Sequence, residues 1–556
     1  MAKKSEKRKK EKLSQQDKKP TPLQGKCGAY YPFIAWGLVV AAMVFIAAIR
    51  IRLLSIPLER DEGEFAYMGQ LMLQGIPPYS LAANMKLPGT YAAYALIMAL
   101  FGQTIEAVHL GLLLINTSTM LMVFLLARRL FDDYTGVVAC ATYGILSLSP
   151  SVLGTSAHAT HFVLLPALGG IILLLKAIES GKQTALFWSG LLFGLSFLMK
   201  QPGIFFGCFA LFYLMGSQIS QTRSLTRSIV IRTLVFTAGL SIPCLLTCLT
   251  LYALGVFQNF WFWTVAYASE YGSLRPLSVG IAAFFRRAPL VIDGFYLLWM
   301  LAGIGILVVS LKREMRIRLL FMYGFFIFSF LAVCPGLYFR EHYFILLLPA
   351  VALFVGISTR YFQMRFAAPK TFQVLTPLLF LICFCHGVAS QKLFFFTLNP
   401  VLACRYMYFP NPFPESIAIA DYIKNHTTPD STIAVLGSEP QIYFYAHRRS
   451  ATSYIYTYGL MENHKYALAM QREMIKDIER NRPEYLVFVK TPTSWLMTEE
   501  SNTTLLDWFK DYQLKYSVAG IIEIVSVYKT IYLWDDQAQN YNPRPDANYV
   551  LRRDPA

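Results

Sequence analysis

Long apolar segments recur through most of this chain and constrain its fold more than any other feature. Runs of about 20 apolar residues match the hydrocarbon thickness of a bilayer. The first covers Tyr31–Ile49, and comparable runs follow until about residue 390. The run at Tyr31–Ile49 is too long for the apolar part of a cleavable leader and is expected to stay as a membrane helix. Charged residues make up 15% of the chain and hydrophobic ones 55%, against roughly 25% charged in an ordinary soluble protein. The pattern predicts a polytopic α-helical membrane protein.

Basic clusters set the expected direction of each span. Lys3, Lys4, Lys7, Arg8, Lys9, Lys10 and Lys12 precede the first helix, so residues 1–29 read as a cytoplasmic tail rather than a nucleic-acid-binding arm. The next spans are expected near 105–127, 135–153, 162–177, 184–199, 203–217, 233–254, 288–311, 319–337, 343–358 and 371–390, about eleven in all. Arg128-Arg129, Lys176, Arg227, Arg232, Lys312, Arg318 and Arg360 then fall on the cytoplasmic side. Asp61, Glu62, Lys86, His158, His161, Lys200, Arg340 and His342 gather near the other face. Thr90–Phe101 is short for a span and is expected to lie in the outer face. Arg50, Arg52 and Arg60 break the charge rule and are expected to snorkel or to meet anionic groups.

From about residue 391 the apolar runs shorten to strand length. Thr432–Leu436 and Tyr485–Val489 read as buried strands, with helices at Ser416–Asn425 and Leu460–Arg480. Lys515–Ala519 and Ile521–Tyr532 read as a closing pair. The expected organisation is a transmembrane domain at 30–390, an extracytoplasmic α/β domain at 391–535 and a loose tail at 536–556. The cysteines lie mostly in apolar runs and read as small hydrophobes rather than as a disulfide or zinc framework. Gly437-Ser438-Glu439-Pro440 is a turn, not a phosphate loop.

The chemistry concentrates in Arg60-Asp61-Glu62-Gly63-Glu64-Phe65-Ala66-Tyr67, in the first external loop at 52–104. Three carboxylates within four residues at a membrane face are costly to place without a role. Phe65, Met68, Leu71 and Met72 share one side of a helical pattern over 62–75, which predicts an amphipathic helix along the interface. Asp61 is placed either to cap that helix or to act as a base. Glu62 is placed to favour the helix dipole, to orient an acceptor or to bind a metal. His158 and His161, one helical turn apart, are candidate ligands for a divalent metal that Asp61 or Glu62 would have to complete. They are otherwise interfacial hydrogen-bonders.

Together with Lys86-Leu87-Pro88-Gly89, Gly190–Pro202 and Arg340-Glu341-His342-Tyr343-Phe344, that acidic motif resembles the bacterial GT-C membrane glycosyltransferases, the protein-mannosyltransferase and aminoarabinose-transferase superfamily. The resemblance covers about 30–390. It implies a GT-C helical fold, a polyprenyl-phosphate sugar donor and transfer to an acceptor on the outer side of the plasma membrane. The acceptor is left open between protein, glycolipid and polysaccharide. Leu87-Pro88 stands where the family often has two prolines, and His158 and His161 stand where some relatives are acidic. The resemblance implies inversion, with Asp61 as general base and Glu62 beside it as the catalytic pair. Lys86, Lys200, Arg340 and His342 then hold the donor phosphate, since Lys and Arg supply charge and forked hydrogen bonds to phosphate. Desolvation is expected to raise the pKa of the base. The one candidate cofactor is that divalent metal. Two other classes fit parts of the pattern: a lipid or sugar transporter, which would carry mid-span charges in repeated halves, and a non-enzymatic envelope assembly protein.

Overall fold

The computed structural model describes residues 31–222, 226–311, 318–365 and 371–555. The basic tail and the turn residues Lys312, Arg313 and Arg316 lie outside them. Among the described residues, six helical segments are long and apolar enough to cross a membrane. They are Phe33–Arg52, Ile105–Leu130, Ala159–Ser180, Gln201–Ser220, Arg227–Ala253 and Glu341–Arg365. A seventh is formed if Leu277–Ile292 and Tyr296–Leu311, bent by 112° to each other, act as one span. Pro88–Phe101, Gln183–Met199, Leu319–Leu331 and Leu375–Ser390 are apolar but shorter. The described residues therefore hold six or seven helices of full membrane-crossing length, with four shorter apolar ones, where the charge alternation expects about eleven spans.

The helices are labelled α1 (Tyr31–Arg52), α2 (Arg60–Leu73), α3 (Pro88–Phe101), α4 (Ile105–Leu130), α5 (Asp133–Leu146), α6 (Ala159–Ser180), α7 (Gln183–Met199), α8 (Ile204–Thr222) and α9 (Arg227–Ala253). Burial separates an axis from a rim. In Glu341–Arg365, 94% of the most apolar window is covered by protein, but only 22% in α9 and 28% in Phe33–Arg52. The first packs at the centre of the bundle; the other two present leucines and valines such as Leu38, Val44, Leu245 and Leu249 outward, as lipid-facing helices do. Small residues permit close helix crossings. A Cβ at Gly190 would stand 2.1 Å from the Phe236 carbonyl oxygen, and one at Gly239 2.2 Å from that of Phe187, so α7 and α9 meet backbone to backbone. The arginines in the last turn of α1 bind protein: Arg50 donates to the carbonyls of Gly154 and Ser147 at 3.0 Å each, and Arg52 to those of Phe394, Phe395 and Leu398.

The C-terminal part is a six-stranded sheet in the order β2-β1-β3-β6-β4-β5. Strands β1 (Thr432–Leu436), β2 (Arg449–Ser450) and β3 (Tyr485–Phe488) are parallel. Strands β4 (Tyr516–Ser526), β5 (Lys529–Trp534) and β6 (Asn548–Arg553) extend the sheet antiparallel. Buried runs with helices between them favour the parallel half. Two expectations are corrected here. The pair expected to break between Ala519 and Ile521 is one long strand that crosses Gly520, and the hairpin turns instead after Ser526. The stretch 536–556, expected to be a loose tail, contains β6, which pairs with β3 on one side and β4 on the other. Val550 and Leu551 are buried there.

The sheet sits against α2. That helix is buried from Arg60 to Leu71 except at Asp61, which corrects the expectation of a helix lying free along the interface. Its apolar side packs on α3, with Phe65 against Tyr91 and Tyr94. Its other side packs on α10 (Gln441–Ala446) of the C-terminal domain, where Gly63 leaves room for Gln441 and Tyr67 stacks on Tyr443.

Candidate active site

Local rules at the start of α2 decide which carboxylate is available. Glu59 is the N-cap: its side chain accepts from the Glu62 amide while Glu62 accepts from the Glu59 amide, a capping box. Asp61 is thus released from the capping role that its position suggests. Glu62 is taken out of the cavity by the same box. It is fully buried, accepts from the Ala157 amide at 2.5 Å and lies 3.0 Å from His109 Nε2. The expected catalytic partner of Asp61 is therefore a group that ties α2 to α4 and to the loop before α6.

Arg60 points to the C-terminal domain. It pairs with Glu439 at 2.6 Å, bonds Asn411 at 3.1 Å, and contacts the Ser438 carbonyl and the Tyr458 hydroxyl. Its guanidinium lies over the Phe413 and Tyr458 rings. Burial disfavours the charged form, yet Glu439 beside it pushes the guanidinium pKa above its ordinary value. This arginine fixes the backbone one residue before Asp61.

Asp61 is partly exposed, at 16%, and lines two cavities. The inner one, of about 220 Å³, is also bounded by Lys86, Lys200, Arg340, His342, Tyr271 and Tyr456. The outer one, of about 820 Å³, is bounded by His158, Arg275, Arg286, Arg287, Arg340 and His342. Lys86 Nζ donates to Asp61 Oδ1 at 2.8 Å and to Glu64 Oε2 at 2.7 Å. The Tyr456 hydroxyl donates to the same Oδ1 at 2.7 Å. Oδ2 faces two imidazoles, His158 Nδ1 at 3.8 Å and His342 Nε2 at 4.0 Å. Burial alone would raise the Asp61 pKa, but the Lys86 ammonium, with His342 and His158 adding to it, holds the carboxyl well below its usual range. The expected upward shift is reversed, because desolvation is outweighed by a cation in contact.

The remaining cations keep their places around this carboxylate. Burial pushes the Lys200 ammonium down to about 7, and its Nζ lies 4.2 Å above the Tyr343 ring. Arg340 faces both cavities. Glu341 turns away from it and pairs with Arg287. His158 and His342 stack with ring centroids 4.0 Å apart. Burial pushes His158 down to about 4, so the imidazole is neutral at pH 7, and neither buried ring nitrogen has a hydrogen-bond partner among the described residues.

His158, His342 and Asp61 offer one ligand atom each, all within 4.8 Å of one another. Two imidazoles and one carboxylate suit a divalent transition metal. His161, expected beside His158, is not in this group. It is buried, within reach of the Arg50 charge, because α6 begins at Ala159 and its first turn carries residue 161 into the bundle.

Tyr456, Tyr458 and Glu462 escape a reading of the sequence, since they lie almost 400 residues from Asp61. The alternation Tyr454, Tyr456, Tyr458 is the one local signal of them; all three line the inner cavity, with Tyr458 opening the short helix Tyr458–Met461.

The family model described as dolichyl-phosphate-mannose-protein mannosyltransferase matches residues 86–247. A stretch of 153 residues is 29% identical to the undecaprenyl phosphate-alpha-4-amino-4-deoxy-L-arabinose arabinosyl transferase of Pseudomonas aeruginosa. It covers 25% of this chain and spans 27% of that relative's length. Among solved structures, ArnT from Cupriavidus metallidurans bound to undecaprenyl phosphate aligns with a TM-score of 0.54 at 15% identity, over 94% of this chain and 98% of that one. The oligosaccharyltransferase AglB from Archaeoglobus fulgidus, in complex with an inhibitory peptide and a dolichol-phosphate, aligns with a TM-score of 0.52 at 12% identity. That alignment covers 94% of this chain and 76% of AglB. At these identities the likeness is one of fold, and it extends over the helical bundle and the C-terminal domain together.

Proposed function

Because the chain has the GT-C fold of these membrane transferases, we propose that it is an integral membrane glycosyltransferase that moves a sugar from a polyprenyl-phosphate donor to an acceptor hydroxyl. The relatives whose names or bound lipids are polyprenyl phosphates support the donor class. The observation that carries the reading is Asp61 at the meeting point of two cavities, with Lys86, Lys200 and Arg340 around the inner one. The donor phosphate occupies the inner cavity, bound by those three cations and by His342. Its lipid tail lies between bundle helices. The acceptor enters by the outer cavity. The first loop and the C-terminal domain face the outside of the plasma membrane, and the N-terminal segment faces the cytoplasm.

The acceptor hydroxyl hydrogen-bonds Asp61 Oδ2 and attacks the anomeric carbon from the side opposite the phosphate, inverting that carbon. Asp61 takes the hydroxyl proton, and the bond to the phosphate oxygen breaks. The cations stabilise the charge that grows on the phosphate. Asp61 is ionised but weakly basic while Lys86 holds it. An arriving phosphate draws Lys86 away, and the carboxylate becomes more basic only with the donor in place. A divalent metal, if held by Asp61, His158 and His342, would add Lewis-acid stabilisation of an oxygen anion.

The test uses the full-length protein in lipid nanodiscs with a panel of undecaprenyl-phosphate sugars, wild type beside Asp61→Asn, with and without chelator. Loss of about 100-fold or more in turnover in a folded Asp61→Asn protein is expected for a general base. Equal turnover in both proteins would remove Asp61 from the reaction. Sensitivity to chelator would bring the two histidines into it.

A further inference from the structure

Among the described residues that line the inner cavity, the acidic ones are Asp61 and Glu462. Their situations differ. Asp61 is held by an ammonium and a phenol, whereas the Glu462 carboxylate accepts one hydrogen bond among the described residues, from the Tyr267 hydroxyl at 3.3 Å. It also lines the outer cavity, so it stands where the two spaces join, on the side of the C-terminal domain. A carboxylate has about four acceptor positions, and the Tyr267 hydroxyl is the side-chain donor to Glu462 among the described residues. Burial raises its pKa to about 7, against the opposing charge of Arg340. The group is part-buried and has no ion pair within 4 Å among the described residues.

We propose that Glu462 forms a sugar subsite, accepting hydrogen bonds from a hydroxyl or ammonium group of the transferred sugar while Lys86, Lys200 and Arg340 hold the phosphate. This rests on the glycosyltransferase reading and narrows it. The phosphate end of the inner cavity is cationic and the Glu462 end anionic, so the donor is oriented by charge along its own length. The tyrosines Tyr267 and Tyr271 beside Glu462 give the ring an apolar wall. A carboxylate at this point favours neutral and amino sugars and rejects acidic ones by like-charge repulsion. The C-terminal domain thereby selects the donor sugar.

The experiment measures binding rather than turnover, on full-length protein in nanodiscs. The probes are bare undecaprenyl phosphate and its conjugates with a neutral hexose, an amino pentose and a uronic acid. The proteins are wild type, Glu462→Gln and Glu462→Ala. Wild type is expected to bind the neutral or amino conjugate about tenfold more tightly than the bare lipid, the worth of one charge-assisted hydrogen bond. Glu462→Ala should lose that gain and Glu462→Gln most of it, with affinity for the bare lipid unchanged. The uronic conjugate should bind better to both variants than to wild type. An equal sugar gain in all three proteins, or no gain with any neutral or amino conjugate in wild type, would overturn the subsite. A parallel loss for every lipid, bare one included, would assign Glu462 to the fold and overturn it as well. Failure of wild type to bind bare undecaprenyl phosphate would instead remove the donor class itself, and the subsite with it.

Discussion

Replacing Lys86 with methionine keeps most of the side-chain stem and removes the ammonium. That ammonium lies within 2.8 Å of Asp61 and 2.7 Å of Glu64, so its loss strands two carboxylates, one of them fully buried. Removing one partner of a buried pair costs about 3–5 kcal/mol. Asp61 and Lys86 keep 16% and 21% of their side-chain surface, which places the loss at the lower end, about 3 kcal/mol. Spread over the unfolding entropy of a chain this long, it lowers the melting temperature by roughly 3 °C. The pH dependence distinguishes charge from packing. In the native protein the Asp61 pKa is depressed, so its stabilisation is present above the unfolded value near 3.9 and is lost only as pH falls through the folded value. In Lys86→Met both carboxylates titrate above their unfolded values, and the variant recovers stability as protons neutralise them. The gap from wild type, read by intrinsic fluorescence on heating in nanodiscs, should be wide at pH 8 and narrow at pH 5. An equal gap at both pH values would refute the electrostatic account. The loss would then belong to the ammonium's contact over the Phe65 ring, which protonation of the carboxylates leaves unchanged.

Three further outcomes are expected. Tyr456→Phe removes the phenol hydrogen bond to Asp61 Oδ1, worth about 1.5–3 kcal/mol when the acceptor is charged; turnover should fall about 10–100-fold while affinity for undecaprenyl phosphate holds, as measured by steady-state kinetics beside lipid binding. Lys200 loses its proton as pH rises through about 7, so affinity of the resting protein for undecaprenyl phosphate should weaken from pH 6 to pH 8, and Lys200→Arg should flatten that profile. Gly63→Ala would set a Cβ 2.6 Å from the backbone nitrogen of Gln441; overpacking of about 1–3 kcal/mol should loosen the C-terminal domain from α2 and speed limited proteolysis between them.

The sequence made some of this visible because the physics is local. Apolar length reveals a span, and buried runs reveal β1 and β3, with no knowledge of the rest of the chain. The polar residues Asp61, Lys86, His158, Lys200, Arg340 and His342 were assigned to one membrane face by counting spans, and the structure brings them around two joined cavities. What stayed hidden is set by tertiary contact. Glu59 displaces Asp61 from the capping role because Glu62 closes a reciprocal box, which the run of carboxylates leaves ambiguous. The depressed Asp61 pKa follows from the placement of Lys86, 25 residues away. His161 fell out of the candidate metal group through a one-turn rotation at the start of α6. The strand β6 has too few apolar residues to announce itself and is recruited by two neighbours already formed.

The burial of α2 between bundle and sheet also has a meaning in time. Its partners at Ser438, Tyr456 and Tyr458 follow it by 378 to 398 positions. A growing chain therefore carries Asp61 beside Lys86, 25 residues on, long before the C-terminal groups that cover it are made. The two cavities that Asp61 lines are thus walled late, when Tyr456, Tyr458 and Glu462 join them.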